Sequence, residues 1–305
     1  MIDAIVLYGP TGVGKTQLAI ELCRELGGEI IGADSVQVYR GFDIGSGKPT
    51  PGELGEVVHH LLDVLEPTET LDAMRYAALA DAAIKRTADS GRVPIIAGGT
   101  GLWLRALLRG LVSVPAPDPE LRAELEAEFR SDPAAARVKL SAIDPISAAR
   151  VHPNDMLRTV RALEVHAQTG QALGALREEH ALGQPRYRAL VLGVDVPDPH
   201  YTAAIEQRTR GMLERGLVRE VEGLVERFGS ELRPLGSVGY MQALEHLQGA
   251  ATLDETYQRI VQATRAYARR QRTWAKTDPD ITLRLTPAEA RETAALERIH
   301  THLAR

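Results

Sequence analysis

The chain carries one cysteine, Cys23, in 305 residues. A lone thiol forms no internal disulfide and cannot assemble a thiolate zinc site, so neither device organises this fold. Long apolar runs are missing as well. Nothing approaches the ~18–20 residues that cross a bilayer, and no basic segment precedes an apolar stretch in "MIDAIVLYGP". The expectation is a cytoplasmic protein with no membrane anchor. Lysine is scarce, five residues in all, and the formal net charge is −5. That balance argues mildly against a nucleic-acid partner, although a whole-chain average can hide a local basic surface. Internal repeats and low-complexity tracts are also lacking, which removes solenoid and linker architectures.

What is present is an alternation of short apolar strands and amphipathic helices. "AIVLYG" reads as a buried strand ending on glycine, and "KTQLAIELCRELG" repeats its apolar residues at helical spacing up to Gly27 and Gly28. "GEIIGADS", "VVHHLLDVL" and "VPIIAGGTG" read as further strands, with an amphipathic helix from "LDAMRYAALADAAIKRTADSG" between the last two. This order predicts a parallel sheet with helices on both faces, an α/β fold. After the proline-rich "VPAPDPE" the texture becomes helical only, and strand pattern returns at "YRALVLGVDVP". The expected organisation is an α/β core, residues 1–114 and 188–305, interrupted by an all-helical insertion over 115–187. The tail beyond Asp280 is too weakly patterned to assign.

Gly9, Pro10, Thr11, Gly12, Val13, Gly14, Lys15 and Thr16 spell "GPTGVGKT", a complete G-x-x-x-x-G-K-[ST] phosphate loop between a strand and a helix. Such a loop converges backbone amides on an anion, Lys15 adds charge, and the Thr16 hydroxyl can ligate magnesium held by the same phosphates. The ligand could be a nucleotide or a phosphorylated substrate. A strand-end carboxylate for the magnesium, usual in phosphate-loop NTPases, is hard to find: Asp63 sits inside the apolar "LLDVL", and "PIIAGGTG" ends without an acid. This favours a transferase acting on a bound diphosphate or triphosphate. Asp34 follows a strand where such sheets bind ligands, yet Asp-Ser there can equally cap a turn. Thr100 in "GGTG" is likewise either a turn residue or a hydroxyl on the phosphate side of the sheet.

Taken together, "GPTGVGKT", "ADSVQVYRGFDIGSGKP", "HHLLDVLEP", "VPIIAGGTGLWLRALLRGL", "NDMLRTVRALEV", "SVGYMQAL" and "RAYARRQRTW" resemble the bacterial tRNA isopentenyltransferase family, in family order up to about Trp274. The resemblance implies a phosphate loop that holds dimethylallyl diphosphate with Mg2+. It implies an acceptor amine on the adenosine just 3′ of the tRNA anticodon. By residue, it makes Asp34 the general base, places Thr100 near the bridging oxygen of the donor, and gives Lys15 and Arg208 to the diphosphate. Asp34, Ser35, Val36 and Gln37 would surround a flipped base. Arg122, Leu157, Arg158, Thr159, Val160 and Arg161 would contact the anticodon stem-loop. Residues 265–276 hold five basic residues and no acid, with Tyr267 and Trp274 interleaved; a charge run is usually a solvated face, but the resemblance adds phosphate-backbone binding. A monomer is implied. Gly32, Asp72 and Ala275–Lys276 depart from the family's usual residues. The rivals are an isopentenyltransferase acting on free adenine nucleotides, a nucleotide kinase, and a nucleotide-binding regulatory module that hydrolyses slowly or not at all. The helical insertion and basic C-terminal helix speak against the first, which needs neither.

Overall fold

A computed structural model describes residues 2–181 and 184–304. The elements run β1 (Asp3–Tyr8), α1 (Lys15–Leu26), β2 (Gly28–Ala33), α2 (Pro51–Glu56), β3 (His59–His60), α3 (Ala73–Asp89), β4 (Val93–Gly98) and α4 (Gly101–Arg109). Five helices follow: α5 (Pro119–Ser131), α6 (Pro133–Ile143), α7 (Pro145–Arg150), α8 (Met156–Thr169) and α9 (Leu173–Ala181). The chain then makes β5 (Arg188–Val194), α10 (Asp198–Glu214), α11 (Leu217–Phe228), α12 (Tyr240–Leu247), α13 (Leu253–Thr277), β6 (Ile281–Leu285) and α14 (Thr293–Leu303). It divides into two compact units, Met1–Leu108 with Arg186–Arg305, and Arg109–Pro185. No helix among the described residues is long and apolar enough to cross a membrane.

The first unit is built on one parallel sheet in the order β3-β2-β4-β1-β5-β6. β1 and β4 at its centre are buried along nearly their whole length, as strands covered on both faces must be. Ile5, Leu7, Leu18, Ile20, Leu22, Ile95 and Leu192 form the core between sheet and helices. α1 ends where Gly27 takes a left-handed conformation and its amide returns to the Cys23 carbonyl. Asp72, the departure before α3, caps that helix: its carboxylate accepts the Arg75 amide at 2.8 Å.

Two sequence expectations are corrected. "VVHHLLDVL" contributes only His59 and His60 to the sheet, because Leu61 and Asp63 both adopt positive φ, 63° and 52°, which breaks the ladder. Of its apolar residues Leu61 and Leu65 are buried, Leu65 where it bridges to Tyr39, whereas Val58 and Val64 are exposed. The unassigned tail is structured: β6 extends the sheet beside β5, and α14 buries Ala295 and Ile299. Beyond the ends of α4 and before β5 the chain is pinned to itself, since the Arg186 amide donates to the Leu108 carbonyl at 2.9 Å. The Arg186 side chain also reaches the Leu107 carbonyl at 2.9 Å and pairs with Asp81.

The second unit is all helix, started repeatedly by aspartate followed by proline. Asp118, Asp132 and Asp144 each cap a helix whose first residue is proline, and Asp155 caps α8. The side chain satisfies amides that the first turn leaves unpaired, and proline supplies the helical φ without wasting a donor. Leu125, Phe129, Leu140, Val160 and Leu163 pack its core. Into that core projects a carboxylate, Glu164, with no exposure of its side chain. It accepts the Asp118 amide at 3.0 Å, Arg122 at 2.8 Å and Arg161 at 2.6 Å.

Removing one member of a buried ion cluster leaves the others uncompensated, the costly case for internal charge. Glu164→Ala should therefore lower the stability of the helical unit by about 2–4 kcal/mol. Denaturant unfolding of the full chain checks this; a change within about 0.5 kcal/mol, the range of ordinary surface substitutions, would show that the two arginines find water as readily as they find Glu164.

Candidate active site

The phosphate loop leaves β1 at its C-terminal end and enters α1. Gly12 and Gly14 sit at φ 82° and 89°, the left-handed region that side-chain-bearing residues avoid, so the turn that aims the amides is open only to glycine there. Lys15 folds back over the loop and donates to the Pro10 carbonyl at 2.7 Å. Burial pulls its pKa down to about 8, against the pull of the nearby Asp34 carboxylate. An anion arriving in the loop would restore the charge that burial penalises. The loop faces a cavity of about 580 Å³ whose wall includes Lys15, Thr16, Asp34, Gln37 and Arg208.

Asp34 stands just past the end of β2. Its Oδ1 accepts the Val36 amide at 2.9 Å and the Gln37 amide at 3.3 Å, while no donor among the described residues reaches Oδ2. Both readings of Asp34 hold at once: one oxygen caps the turn and fixes the side chain, and the carboxylate lines the cavity. A second cavity of about 270 Å³ meets the first there, sharing Thr11, Asp34, Ser46 and Arg208 and adding Ser35, Val36 and the apolar Met212 and Ile260. Asp34 thus has a phosphate site on one side and a mixed apolar and polar chamber on the other.

The opposite wall is a loop, residues 42–48, held from behind. Glu220 of α11 accepts the Ile44 amide at 2.7 Å, the Gly45 amide at 3.3 Å and the Tyr240 hydroxyl at 2.6 Å, while that hydroxyl accepts the Ser46 amide at 3.1 Å. Lys48, only 7% exposed, donates to the Tyr39 carbonyl and to Asp43, both at 2.7 Å, and to Asp63 at 2.6 Å. Asp63 is therefore engaged with a lysine and supplies no strand-end carboxylate. The carbonyls this loop presents are used in turn: Ser46 O receives Gln37 and Arg208, and Gly47 O receives Gln37, each at 3.2 Å. Arg208 is deeply enclosed, and burial lowers its pKa against the attraction of Asp34.

Thr100 follows β4, its amide donating to the Ala33 carbonyl at 3.3 Å and its own carbonyl starting α4. Tyr267 of α13 lines the second cavity, and burial, with the Asp34 charge, raises its pKa to about 12. The basic segment 265–276 is split by the helix into two faces. Arg265, Arg269, Arg270 and Lys276 are exposed. Arg272 points inward, pairs with Asp195 at 2.9 Å and with Asp198, and stacks 4.4 Å over the Tyr201 ring. Trp274 lies under Arg105, 4.6 Å from its guanidinium, and Ala275 is buried with its carbonyl accepting Arg284 at 2.8 Å.

Among the described residues no group of three or more His, Cys, Asp or Glu could hold a metal ion unaided. The Thr16 hydroxyl has no hydrogen-bond partner among the described residues, and Thr16 shares its cavity with Asp34. These are hard oxygen donors too few to make a cage, which fits magnesium that keeps waters and substrate phosphates as its other ligands.

The RNA-contact candidates Arg122 and Leu157 to Arg161 belong to the helical unit. Leu157 and Arg158 face outward, Leu157 at 69% exposure, and Arg158 pairs with Asp155. Thr159 and Val160 are enclosed in the unit's core, and Arg122 and Arg161 close on Glu164. Residues that the sequence did not single out are Glu220, Tyr240, Tyr201 and Gln271. Gln271 had a legible signal: it stands four residues after Tyr267, so both lie on the same inward stripe of α13.

The family model described as IPP transferase matches residues 37–278. A tRNA dimethylallyltransferase of Anaeromyxobacter dehalogenans (strain 2CP-C) is 49% identical over 275 residues, 90% of this chain and 92% of that one. The crystal structure of a full-length tRNA isopentenylpyrophosphate transferase from Bacillus halodurans is 32% identical, covering 100% of this chain and 96% of its own, with a TM-score of 0.70. A eukaryotic dimethylallyltransferase captured acting on tRNA is 26% identical with a TM-score of 0.80, over 98% of this chain and 78% of its own. On this likeness along nearly the whole of its length, the chain belongs to the IPP transferase family.

Proposed function

We propose that this protein transfers a dimethylallyl group from dimethylallyl diphosphate to the exocyclic amine of the adenosine 3′-adjacent to the anticodon in tRNA, releasing diphosphate. The observation that carries the reading is the position of Asp34, which lines both the phosphate-loop cavity and the chamber beside it. A carboxylate at that junction can receive a proton from an acceptor amine while the leaving diphosphate stays on the loop.

Diphosphate occupies the larger cavity, where Lys15, Arg208 and the loop amides are aimed at the charge that develops on the departing oxygen. Mg2+ at Thr16, when bound, adds charge to the same phosphates. The allylic carbon can carry partial positive charge, so its bond to oxygen lengthens before the bond to nitrogen is complete, and positioning supplies much of the rate. As the carbon–nitrogen bond forms, the amine becomes acidic, and Asp34 Oδ2 takes its proton. Thr100, the residue after Gly99 of the cavity wall, takes the role of a hydroxyl beside the bridging oxygen of the donor.

An adenine stacked in an anticodon loop reaches Asp34 only when flipped out, at a cost of a few kcal/mol that is smallest in a single strand. The Asp34–Gln37 turn surrounds the flipped base. Arg158 and the exposed Arg265, Arg269, Arg270 and Lys276 offer phosphate contacts to the anticodon stem-loop, outweighing the acidic average of the chain. The protein works as a cytoplasmic monomer. The names of its relatives favour tRNA over free adenine nucleotides as acceptor.

Asp34→Asn should keep donor and tRNA affinity and slow transfer about 10²–10⁴-fold; single-turnover rates near those of the wild type would remove Asp34 from the base role. Lys15→Ala should weaken diphosphate handling, seen as a raised donor KM together with a lower kcat. Unchanged values of both would mean the loop serves another ligand. Arg158→Ala should lower the slope of log tRNA affinity against log salt by roughly 0.7–0.9 units, one phosphate contact's worth. Arg161→Ala should instead lower the melting temperature with little change in slope, because its guanidinium is held by Glu164; affinity titrations at several salt concentrations, with thermal melts of both variants, separate the two roles.

A further inference from the structure

The inner stripe of α13 grips the phosphate loop at one residue. The Thr11 amide donates to Gln271 Oε1 at 3.0 Å, and the Thr11 carbonyl accepts the Tyr201 hydroxyl at 2.8 Å. On its other side Gln271 Nε2 donates to the Gly99 carbonyl at 2.9 Å, one residue before Thr100. Gln271 is 6% exposed, and a Cβ on Gly99 would collide with its amide nitrogen. The two loops that frame the donor site therefore meet on a single planar amide.

We propose that Gln271 is a positioning residue that locks the phosphate loop and the Thr100 turn into one cradle and so holds a bound diphosphate in register with Asp34. It touches no reacting atom in this role; it acts through the Thr11 and Gly99 backbones. The proposal rests on the transferase reading for its link to catalysis, but its hold on the phosphate loop stands on the geometry alone. Only an amide supplies an acceptor to Thr11 and a donor to Gly99 from one rigid group. Glutamate keeps the first bond, sets two oxygens against each other at Gly99, and adds negative charge beside an anion site. Methionine keeps the volume and leaves both backbone groups unpaired.

The test uses the full-length protein with magnesium, and measures inorganic pyrophosphate affinity, donor and tRNA KM, kcat and melting temperature for Gln271→Met and Gln271→Glu. If the cradle is locked through this amide, Gln271→Met lowers kcat on the order of 10–100-fold, the loss expected from misplacement by about an ångström, with tRNA KM unchanged. Gln271→Glu raises the pyrophosphate Kd further than Gln271→Met does. Variants that lose melting temperature yet keep the wild-type kcat and pyrophosphate Kd in their folded fraction would overturn the proposal and leave Gln271 a packing residue. Should Gln271→Met fail to fold, Gln271→Glu decides alone, an unchanged pyrophosphate Kd counting against the lock. A wild-type protein that binds pyrophosphate but alkylates no tRNA would overturn the transferase reading instead, and the pyrophosphate comparison would still decide for or against Gln271.

Discussion

The phosphate loop is restrained at Thr11 through both of its backbone polar groups, by a glutamine amide oxygen on the N–H and a tyrosine hydroxyl on the carbonyl. A loop with two left-handed glycines is locally the most permissive stretch of the chain. Its conformation is set by what α13 and α10 place around it. Tyr201 is itself held by Arg272, which bridges Asp195 and Asp198. The end of β5, the start of α10 and the last turns of α13 thereby converge on one residue of the anion site.

The same economy recurs wherever the chain must curve without regular structure. The loop at residues 42–48 is shaped by one carboxylate, Glu220, and one ammonium, Lys48, each partnered several times. In the helical unit Glu164 collects an amide and two guanidiniums. Buried charge is tolerable only when satisfied from several directions. Each of these groups fixes backbone that hydrophobic packing alone would leave loose.

The sheet, the phosphate loop and the all-helical character of residues 119–181 were legible because each has a local signature: continuous apolar strands, a glycine-spaced motif, and a period of 3.6. β6 was not, since its burial alternates at the sheet edge and its five residues carry Thr282 and Arg284 outward. The short extent of β3 was hidden as well, because an apolar run does not reveal that Leu61 and Asp63 turn left-handed. The basic stripe of α13 misled in a subtler way. Sequence gives the sum of charges on a helix, but the rotation of that helix decides which charge meets solvent, and Arg272 and Gln271 fall on the inward side. Arg122 misleads because its partner Glu164 stands on another helix; Arg161 lies three residues before Glu164, a pairing that helical spacing allows, but the full burial of that carboxylate is set by packing.

The pinned neck at Leu108 and Arg186 has a consequence for how the molecule can vary. Leu108 and Arg186, where the first unit breaks off and resumes, are joined by a backbone hydrogen bond, so the sheet unit closes on itself whatever length of chain lies between them. The entropic cost of an inserted loop grows slowly, by about 0.6 kcal/mol for each doubling of length. A segment inserted at such a neck can be lengthened, trimmed or exchanged while the sheet keeps its register, so the helical unit is free to vary on a scaffold whose phosphate loop stays fixed.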